Sequence, residues 1–329
     1  MSQIRQQLIK YLLTQKDYVS GEELSKRFNV SRTAIWKHME ELRREGYKIK
    51  AVRKQGYLLV AEPDDLTPSV ISSHLSTRWL GKTVHVYDKV SSTQQVAHRL
   101  AREGAPAGTV IVADEQELGK GRLGRSWHSP PGTGVWISFI LRPQLPLHAV
   151  SHLTLLTAVA VLQAVNKVVE LPLSIKWPND VLIRGKKFAG ILMELKAEAD
   201  QVHYVVAGIG INVNMTKDDF PLHLRDRATS IAIEANQTIS RKAIIIQLLD
   251  EWEGLYEQYV AEGFSPIKAL WEQKADTLGK PVTARTASGS LSGMAVGLNE
   301  DGALLLKDGL GQIHQIYAAD IEFQSDSLL

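Results

Sequence analysis

A multidomain α+β architecture is predicted by three observations on this 329-residue chain. The first sixty residues read as three helices and a hairpin, residues 83–262 mix strands with helices, and residues 279–325 hold only short strands between glycine turns. Charge divides along the same lines. The formal net charge is +2, yet residues 1–60 hold 13 Lys and Arg against 6 Asp and Glu, leaving 25 against 30 for the rest. A basic module on a mildly acidic body points to a polyanionic partner for the front end alone. Cysteine is absent, which excludes disulfides and thiolate metal sites. Met1–Lys10 has no apolar signal core, and no run reaches the roughly 18 to 20 apolar residues of a membrane span. A cytoplasmic protein with no membrane partner is expected.

At the front, Ile4, Leu8 and Leu12 recur at helical spacing. Ser20-Gly21-Glu22-Glu23 has capping-box form and predicts a second short helix that buries Leu24 and Phe28. After a turn at Asn29-Val30, Ser31 is a good N-cap for a third helix ending near Glu45, with Gly46 beyond it. Ile35, Met39 and Leu42 share one face of that helix, while Arg32, Thr33, Trp36 and Lys37 point elsewhere. Tyr47–Val60 reads as a hairpin with a basic tip at Arg53 and Lys54. Helix, tight turn and helix place side chains of the second of the pair in a DNA major groove, and the tip suits phosphate. The whole reads as a winged helix-turn-helix. Such modules also serve as protein–protein adaptors; the local charge favours DNA. Pro63–Pro68, with two prolines and two acids in six residues, marks a boundary.

In the body, strands are expected at 83–87, 109–113, 135–141, 174–177, 181–184, 188–195 and 202–214, and helices at 93–103, 148–168 and 241–262. These elements form a mixed sheet with helices. Chemistry concentrates between them. Gly119-Lys120-Gly121-Arg122-Leu123-Gly124-Arg125-Ser126-Trp127 puts three glycines and three cations into nine residues, a composition that lets backbone N–H groups and positive charge approach phosphate. A flexible basic surface loop is the plainer alternative. It is no P-loop, because Arg125 stands where the lysine belongs and Pro130-Pro131 forbids the required helix. Lys176-Trp177-Pro178-Asn179-Asp180 suits a hairpin turn that could orient an ammonium or a phosphate-bound metal. Lys187 precedes Phe188-Ala189-Gly190. Gly208-x-Gly210 before Asn212 makes a poor dinucleotide fingerprint and points instead to something packed on the strand.

In order and spacing these segments resemble the bacterial family of bifunctional biotin–protein ligases that also repress the biotin operon. The resemblance rests on Ser91-Ser92-Thr93-Gln94, Glu115-Gln116 with the loop to Trp127, Lys176–Asp180, Lys187–Gly190 and Gly208–Asn212, and spans about residues 1–325. It implies a winged helix-turn-helix at 1–62, a linker and start of the catalytic domain at 63–82, a central biotin- and ATP-binding ligase domain at 83–275, and a small SH3-like β-barrel at 276–329. Valines, leucines and turn signals such as Asn299–Gly302 and Asp308-Gly309 suit that barrel.

The implied activity has two steps: biotin and MgATP give biotinyl-5′-AMP, and a lysine of a biotin carboxyl carrier protein then takes the biotin. By the same resemblance Ser92, Thr93 and Gln116 hold biotin's ring end, Gln94 also contacts biotin, and Lys120, Gly121 and Arg122 cover its carboxylate and the α-phosphate. Lys187, Arg122 and Asp180 carry the chemistry, with Mg²⁺ near Asp180. Gly119, Arg125, Trp127, Lys176, Asn179, Gly190 and Asn212 serve ATP or the adenylate. Ser31, Arg32, Thr33, Trp36, Lys37, Arg53 and Lys54 serve operator DNA. The sequence departs from the family pattern at Gln94, where asparagine is usual, at Lys120, where arginine is common, and at Leu123. Met215–Arg227 resembles the variable segment that folds over adenine. The expected switch is a homodimer promoted by the adenylate, with carrier competing for the same sheet edge. A biotin-sensing regulator without ligase activity and a lipoate–protein ligase are the alternatives.

Overall fold

The computed structural model describes residues 3–15, 17–53, 55–61, 66–198, 201–287 and 289–323. Lys54 and Pro63–Asp65 of the expected basic tip and linker lie outside them. The chain divides into two compact units, Met1–Ser76 and Thr77–Leu329.

In the first unit, α1 (Gln3–Leu13), α2 (Gly21–Phe28) and α3 (Arg32–Arg44) precede the antiparallel hairpin of β1 (Lys48–Val52) and β2 (Gly56–Ala61). Leu8, Leu12, Leu24, Ile35, Met39 and Leu42 form one fully buried core. Each such side chain contributes roughly 1.5–3 kcal/mol when removed from water. Ser20 and Ser31 accept from the backbone N–H of Glu23 and Ala34, and Asn29 closes α2 in the left-handed region at φ 51°. The capping box is only half formed, because the Glu23 carboxylate accepts instead from Tyr11 Oη at 2.6 Å. A helix that the sequence pattern did not suggest, α4 (Pro68–His74), packs on α1. Thr67 caps it by accepting from the Val70 N–H, with Pro68 in the first turn.

The second unit is organised by a seven-stranded sheet in the order β3 (Val84–Val90), β4 (Val110–Gln116), β5 (Gly134–Leu141), β9 (Gln201–Asn212), β8 (Lys186–Glu198), β7 (Asp180–Ile183), β6 (Leu173–Lys176). Only β3 and β4 run parallel, joined by the crossover helix α5 (Thr93–Arg102); the remaining neighbours are antiparallel. β5 is buried along its whole length, as a strand covered on both faces must be. One face carries α5. The other carries α6 (Val150–Val168) and α8 (Arg241–Glu262), which pack on each other and on β8 and β5. Phe139 meets Trp252 edge to face at 4.9 Å, and Trp252 Nε1 donates to Thr157 Oγ1 at 2.8 Å. Two helices without a clear sequence signal, α7 (Ile231–Ala235) and α9 (Ser265–Gln273), complete this part.

The C-terminal sheet is antiparallel throughout, in the order β13 (Ile313–Ile316), β12 (Leu304–Lys307), β11 (Gly289–Leu298), β10 (Pro281–Thr286), β14 (Asp320–Phe323). It has the strand number of a small barrel, with no pairing between β13 and β14 among the described residues. Strand β14 was not expected from the pattern. Among the described residues no helix is long and apolar enough to cross a membrane.

Candidate active site

Side chains on one face of a strand recur every second residue, and β9 uses this to line up the site. Tyr204 and Val206 pack under α5 with Ala97 and Ala101. The next positions on that face are Gly208, Gly210 and Asn212. A Cβ on Gly208 would stand 2.7 Å from Gln94 Cδ, and one on Gly210 would stand 2.4 Å from Trp127 Nε1. The two glycines therefore exist to let Gln94 and Trp127 lie on the strand, side by side. Gly190, on β8, admits the same indole: its Cβ would be 2.9 Å from the ring. Trp127 also meets Trp136 edge to face at 6.5 Å.

The loop Gly119–Trp127 is closed on itself. Trp127 N–H donates to Gly119 O at 2.8 Å and Gly121 N–H to Arg125 O at 2.7 Å, with Leu123 at φ 54° and Gly124 at φ 73° turning the tip. Between this loop, β7, β8 and the segment after β9 lies a cavity of about 520 Å³. Gly121, Arg122, Arg125 and Trp127 line it from the loop; Lys176, Asn179, Asp180, Lys187, Gly190 and Asn212 line it from the sheet. Gly119 and Lys120 do not reach it. They line, together with Gln116, an adjoining depression of about 1090 Å³ that shares Arg122, Lys176, Asn179 and Asp180 with it.

Within the cavity, Lys187 Nζ lies 2.6 Å from Asp180 Oδ1 and 5.2 Å over the Trp127 ring. The pair depends on register. A bulge between Val181 and Leu182 breaks the regular pairing of β7 with β8 and turns Lys187 toward the β7 start. Arg122 donates to Asn179 Oδ1 at 3.0 Å and to the Ala319 carbonyl, and Asn179 Nδ2 donates to Ile191 O at 2.9 Å. Burial lowers the Arg122 guanidinium from its ordinary value, opposed by Asp320 and Asp180; burial likewise lowers the Lys176 ammonium. Both effects mark cations held out of water, where they act on an anion with little screening. Arg125, exposed at its tip, pairs with Asp320. Asn212 Nδ2 donates to Thr229 O at 3.1 Å, which fixes it as a wall.

Ser92, Thr93 and Gln94, the residues placed by resemblance at the ring end, are buried and do not line the cavity. The Trp127 indole sits between them and Asn212 along β9. Thr93 donates from both its N–H and its hydroxyl to Gln116 Oε1, at 2.9 and 3.1 Å, while Gln116 Nε2 donates to Ser129 Oγ at 2.9 Å. Ser92 Oγ, Gln94 Oε1 and Trp127 Nε1 are buried with no hydrogen-bond partner among the described residues. Buried polar atoms are nearly always satisfied, so these three are polar groups to which a ligand could supply partners.

Sequence reasoning missed several contributors. Asp320 and Phe323 close the cavity from β14, and Phe323 has Lys176 and Lys280 over its ring at 5.1 and 5.0 Å. Met215 and Phe220 pack on Trp136, and the segment is tied down where Lys187 N–H donates to Arg227 O and Thr229 N–H to Lys187 O, each at 2.9 Å. No local pattern marks Asp320 and Phe323, which only β14's arrival brings to the cavity, whereas Met215 and Phe220 belong to the segment 215–227 already expected beside the ligand.

In the first unit, Ser31, Arg32, Thr33, Trp36 and Lys37 are exposed on α3, Trp36 at 53%, opposite its buried Ile35–Met39–Leu42 stripe. Arg53 is exposed beyond β1. Lys54 lies outside the described residues.

The model of the biotin/lipoate A/B protein ligase family matches residues 86–212, that of an HTH domain residues 4–58, and that of the biotin protein ligase C-terminal domain residues 277–324. The chain is 47% identical over 323 residues to the bifunctional ligase/repressor BirA of Bacillus subtilis (strain 168), covering 98% of this chain and 99% of that protein. It is 30% identical over 301 residues to the bifunctional ligase/repressor BirA of Escherichia coli (strain K12), covering 91% of each. Among solved structures, the biotin protein ligase from Aquifex aeolicus in complex with biotin and ATP superposes with a TM-score of 0.65 at 33% identity, over 74% of this chain and 99% of that one.

Proposed function

The chain belongs to the biotin protein ligase family, in its bifunctional ligase/repressor branch, and on that premise we propose how its residues divide the work. The protein joins biotin to a carboxyl carrier protein through biotinyl-5′-AMP, and as the adenylate complex it represses transcription. The observation that carries the site assignment is one cavity that gathers Arg122, Lys176, Asp180 and Lys187 beside a buried, unsatisfied polar end at Ser92 and Gln94.

In the first step a carboxylate oxygen of biotin attacks the α-phosphorus of MgATP. The new P–O bond replaces the bond to the β-phosphate, and pyrophosphate leaves. Two anions must meet, so the chain's contribution is positive charge fixed where they meet. Lys187 stands at the boundary between the indole and the cavity and bridges the carboxylate and α-phosphate oxygens; Arg122, oriented by Asn179, covers them from the loop. Arg125 and Lys176 receive the departing phosphates. Such preorganised donors typically contribute about 3 kcal/mol each. In the second step the ε-amine of the carrier lysine attacks the acyl carbon, the amide C–N bond forms, AMP leaves and the amine loses a proton. Asp180 orients that amine once Lys187 has turned to the ligand.

Magnesium enters with the nucleotide. Among the described residues no group of three or more His, Asp or Glu is arranged to hold a metal. Lys187 already occupies Asp180. One carboxylate with substrate phosphates is sufficient for this ion.

For repression, α3 offers Arg32, Thr33, Trp36 and Lys37 to the major groove, and the wing offers Arg53 and Lys54 to phosphate. The strand β8 runs on past its last pairing with β7, which leaves Leu192–Glu198 as a sheet edge. That edge supports a ligand-promoted homodimer presenting two winged domains to a two-fold operator, with carrier competing for it. The cytoplasm, where ATP and carrier are found, is the expected place of work. Biotin-dependent ATP–pyrophosphate exchange and transfer of labelled biotin, rather than lipoate, to a carrier domain test the enzyme. Operator gel shifts with and without biotin plus ATP test the switch; equal DNA binding in both would overturn it.

A further inference from the structure

The turn that carries Asn179 and Asp180 is held from outside its own hairpin. Strand β6 is the last of the seven-stranded sheet, so one of its edges has no neighbouring strand among the described residues. The segment leading from α9 into the C-terminal sheet takes that place. Ile175 N–H donates to Lys274 O and Asp276 N–H to Ile175 O, both at 2.8 Å, around a parallel bridge from Ile175 to Ala275. Two residues on, Trp177 N–H donates to Thr277 Oγ1 at 3.0 Å, and its indole Nε1 donates to Gly302 O at 3.2 Å. Trp177 is 2% exposed and Thr277 is fully buried, so neither bond is open to exchange with water.

Gly302 is itself seated on α6. A Cβ there would stand 2.8 Å from Leu155 Cδ1. In the same turn the Glu300 carbonyl accepts from His152 Nε2 at 2.9 Å, and the Asp301 carbonyl from Ser151 Oγ at 2.7 Å. Trp177 thus ties the turn 176–180 to a point that α6 fixes. Beyond Trp177, Asn179 Oδ1 accepts from Arg122 and Asp180 pairs with Lys187. Arg122 also donates to Ala319 O, at the entry to β14. One guanidinium therefore spans the turn and the C-terminal sheet, and reaches both only while their separation is kept.

We propose that Thr277 and Trp177 are positioning residues for adenylation: they lock the turn to the C-terminal sheet and, through Asn179, set where the Arg122 charge stands. This rests on the ligase reading above, in which Arg122 covers the reacting carboxylate and α-phosphate. It gives the C-terminal sheet a part in the first chemical step, separate from the cavity wall that Asp320 and Phe323 supply. A donor that acts on a transition state must be held to a fraction of an ångström by the groups behind it.

Thr277→Val keeps the shape and removes the acceptor, which leaves the Trp177 N–H buried and unpaired; Thr277→Ser keeps the acceptor. Biotin-dependent ATP–pyrophosphate exchange is measured for both, normalised to the folded fraction of each preparation. Thr277→Val is expected to lose about tenfold in kcat, with KM for biotin within about twofold of wild type. Thr277→Ser should stay within about twofold in both constants. The deciding measurement is a double-mutant cycle. In an Asn179→Ala background the link to Arg122 is already cut, so Thr277→Val should cost no more than about twofold further. A merely structural residue costs the same in both backgrounds, and such additivity overturns the proposal. Thr277→Ser behaving like Thr277→Val, or a loss confined to KM, overturns it as well. If Thr277→Val does not fold, the same cycle with Trp177→Phe, which removes the indole N–H, decides. Absence of any biotin-dependent exchange in the wild-type chain instead removes the ligase reading.

Discussion

At the end of the site that the proposal gives to the nucleotide, Lys187 rests on Asp180, Arg122 on Asn179 and Ala319, and Arg125 on Asp320. At the end assigned by the proposal to the biotin ring, Ser92 Oγ and Gln94 Oε1 are buried with no partner among the described residues. The first set consists of long charged side chains whose present partners a phosphate can replace. The second consists of short dipoles held by backbone and core, which wait for one shape of guest. The contrast follows the chemistry. On the proposed function, phosphates arrive, change charge and leave during the reaction, so their contacts must exchange, whereas the ring end would bind one unreactive group and gain by being rigid.

The largest test of this contrast is Lys187→Ala. Adenylation, measured as biotin-dependent ATP–pyrophosphate exchange, should fall by about a hundredfold, the usual weight of one preorganised donor. The thermal midpoint should move little, since Lys187 is partly exposed. Near-normal turnover would break the assignment. Next is Gly210→Ala at the rigid end. The added Cβ must displace the indole, and kcat/KM for biotin is expected to drop about tenfold, in line with overpacking costs of 1–3 kcal/mol. An unaffected enzyme would show that Trp127 is free to move and that the ring end is not rigid.

A smaller effect, of opposite sign, is expected at the exchangeable end. Asp320→Asn releases Arg125 and should lower KM for ATP by about two- to fivefold, because an exposed ion pair is weak competition. A raised KM would mean that Asp320 orients Arg125 for phosphate instead of competing for it. The smallest effect concerns pH. The carboxyl of Glu194 lies below its ordinary 4.5, chiefly through the His98 hydrogen bond. A depressed carboxyl contributes stability that is present above the unfolded value and is lost as pH falls through the folded one. Wild-type melting curves should therefore fall more steeply than those of Glu194→Gln below about pH 4.5, and the two should run parallel above it. Parallel curves throughout would leave Glu194 without this role.

Much of the molecule was legible because its determinants are local. Ser31, the stripe Ile35–Met39–Leu42 and Gly46 specify α3 and, by exclusion, its exposed Arg32, Trp36 and Lys37. The span 241–262 was read to its ends from periodicity, and the cation-rich loop from its glycines. Other features were not legible. Glu23 has the spacing of a capping box, yet its carboxylate goes to Tyr11, a partner from another helix. The helix α4 is short and begins at the second boundary proline, Pro68, and β14 is four residues long. Lys120 lines the adjoining depression rather than the cavity of Lys187, a placement set by how the loop closes on itself.

By itself the sequence determined most of the helices and strands, with α4, α7, α9 and β14 the exceptions, where charge and glycine concentrate, and which chemistry those segments can serve, since all of this depends on neighbours within a few turns of chain. Tertiary structure alone decided that Lys187 meets Asp180 across a bulged pairing, that Gln94 and Trp127 lie on Gly208 and Gly210, that Glu194 fixes the Gln94 amide, and that Asp320 and Phe323 close the cavity. Strand order and register are long-range pairings, and a shift of one residue would turn strand side chains such as Lys187, Glu194 and Asp320 to the opposite face.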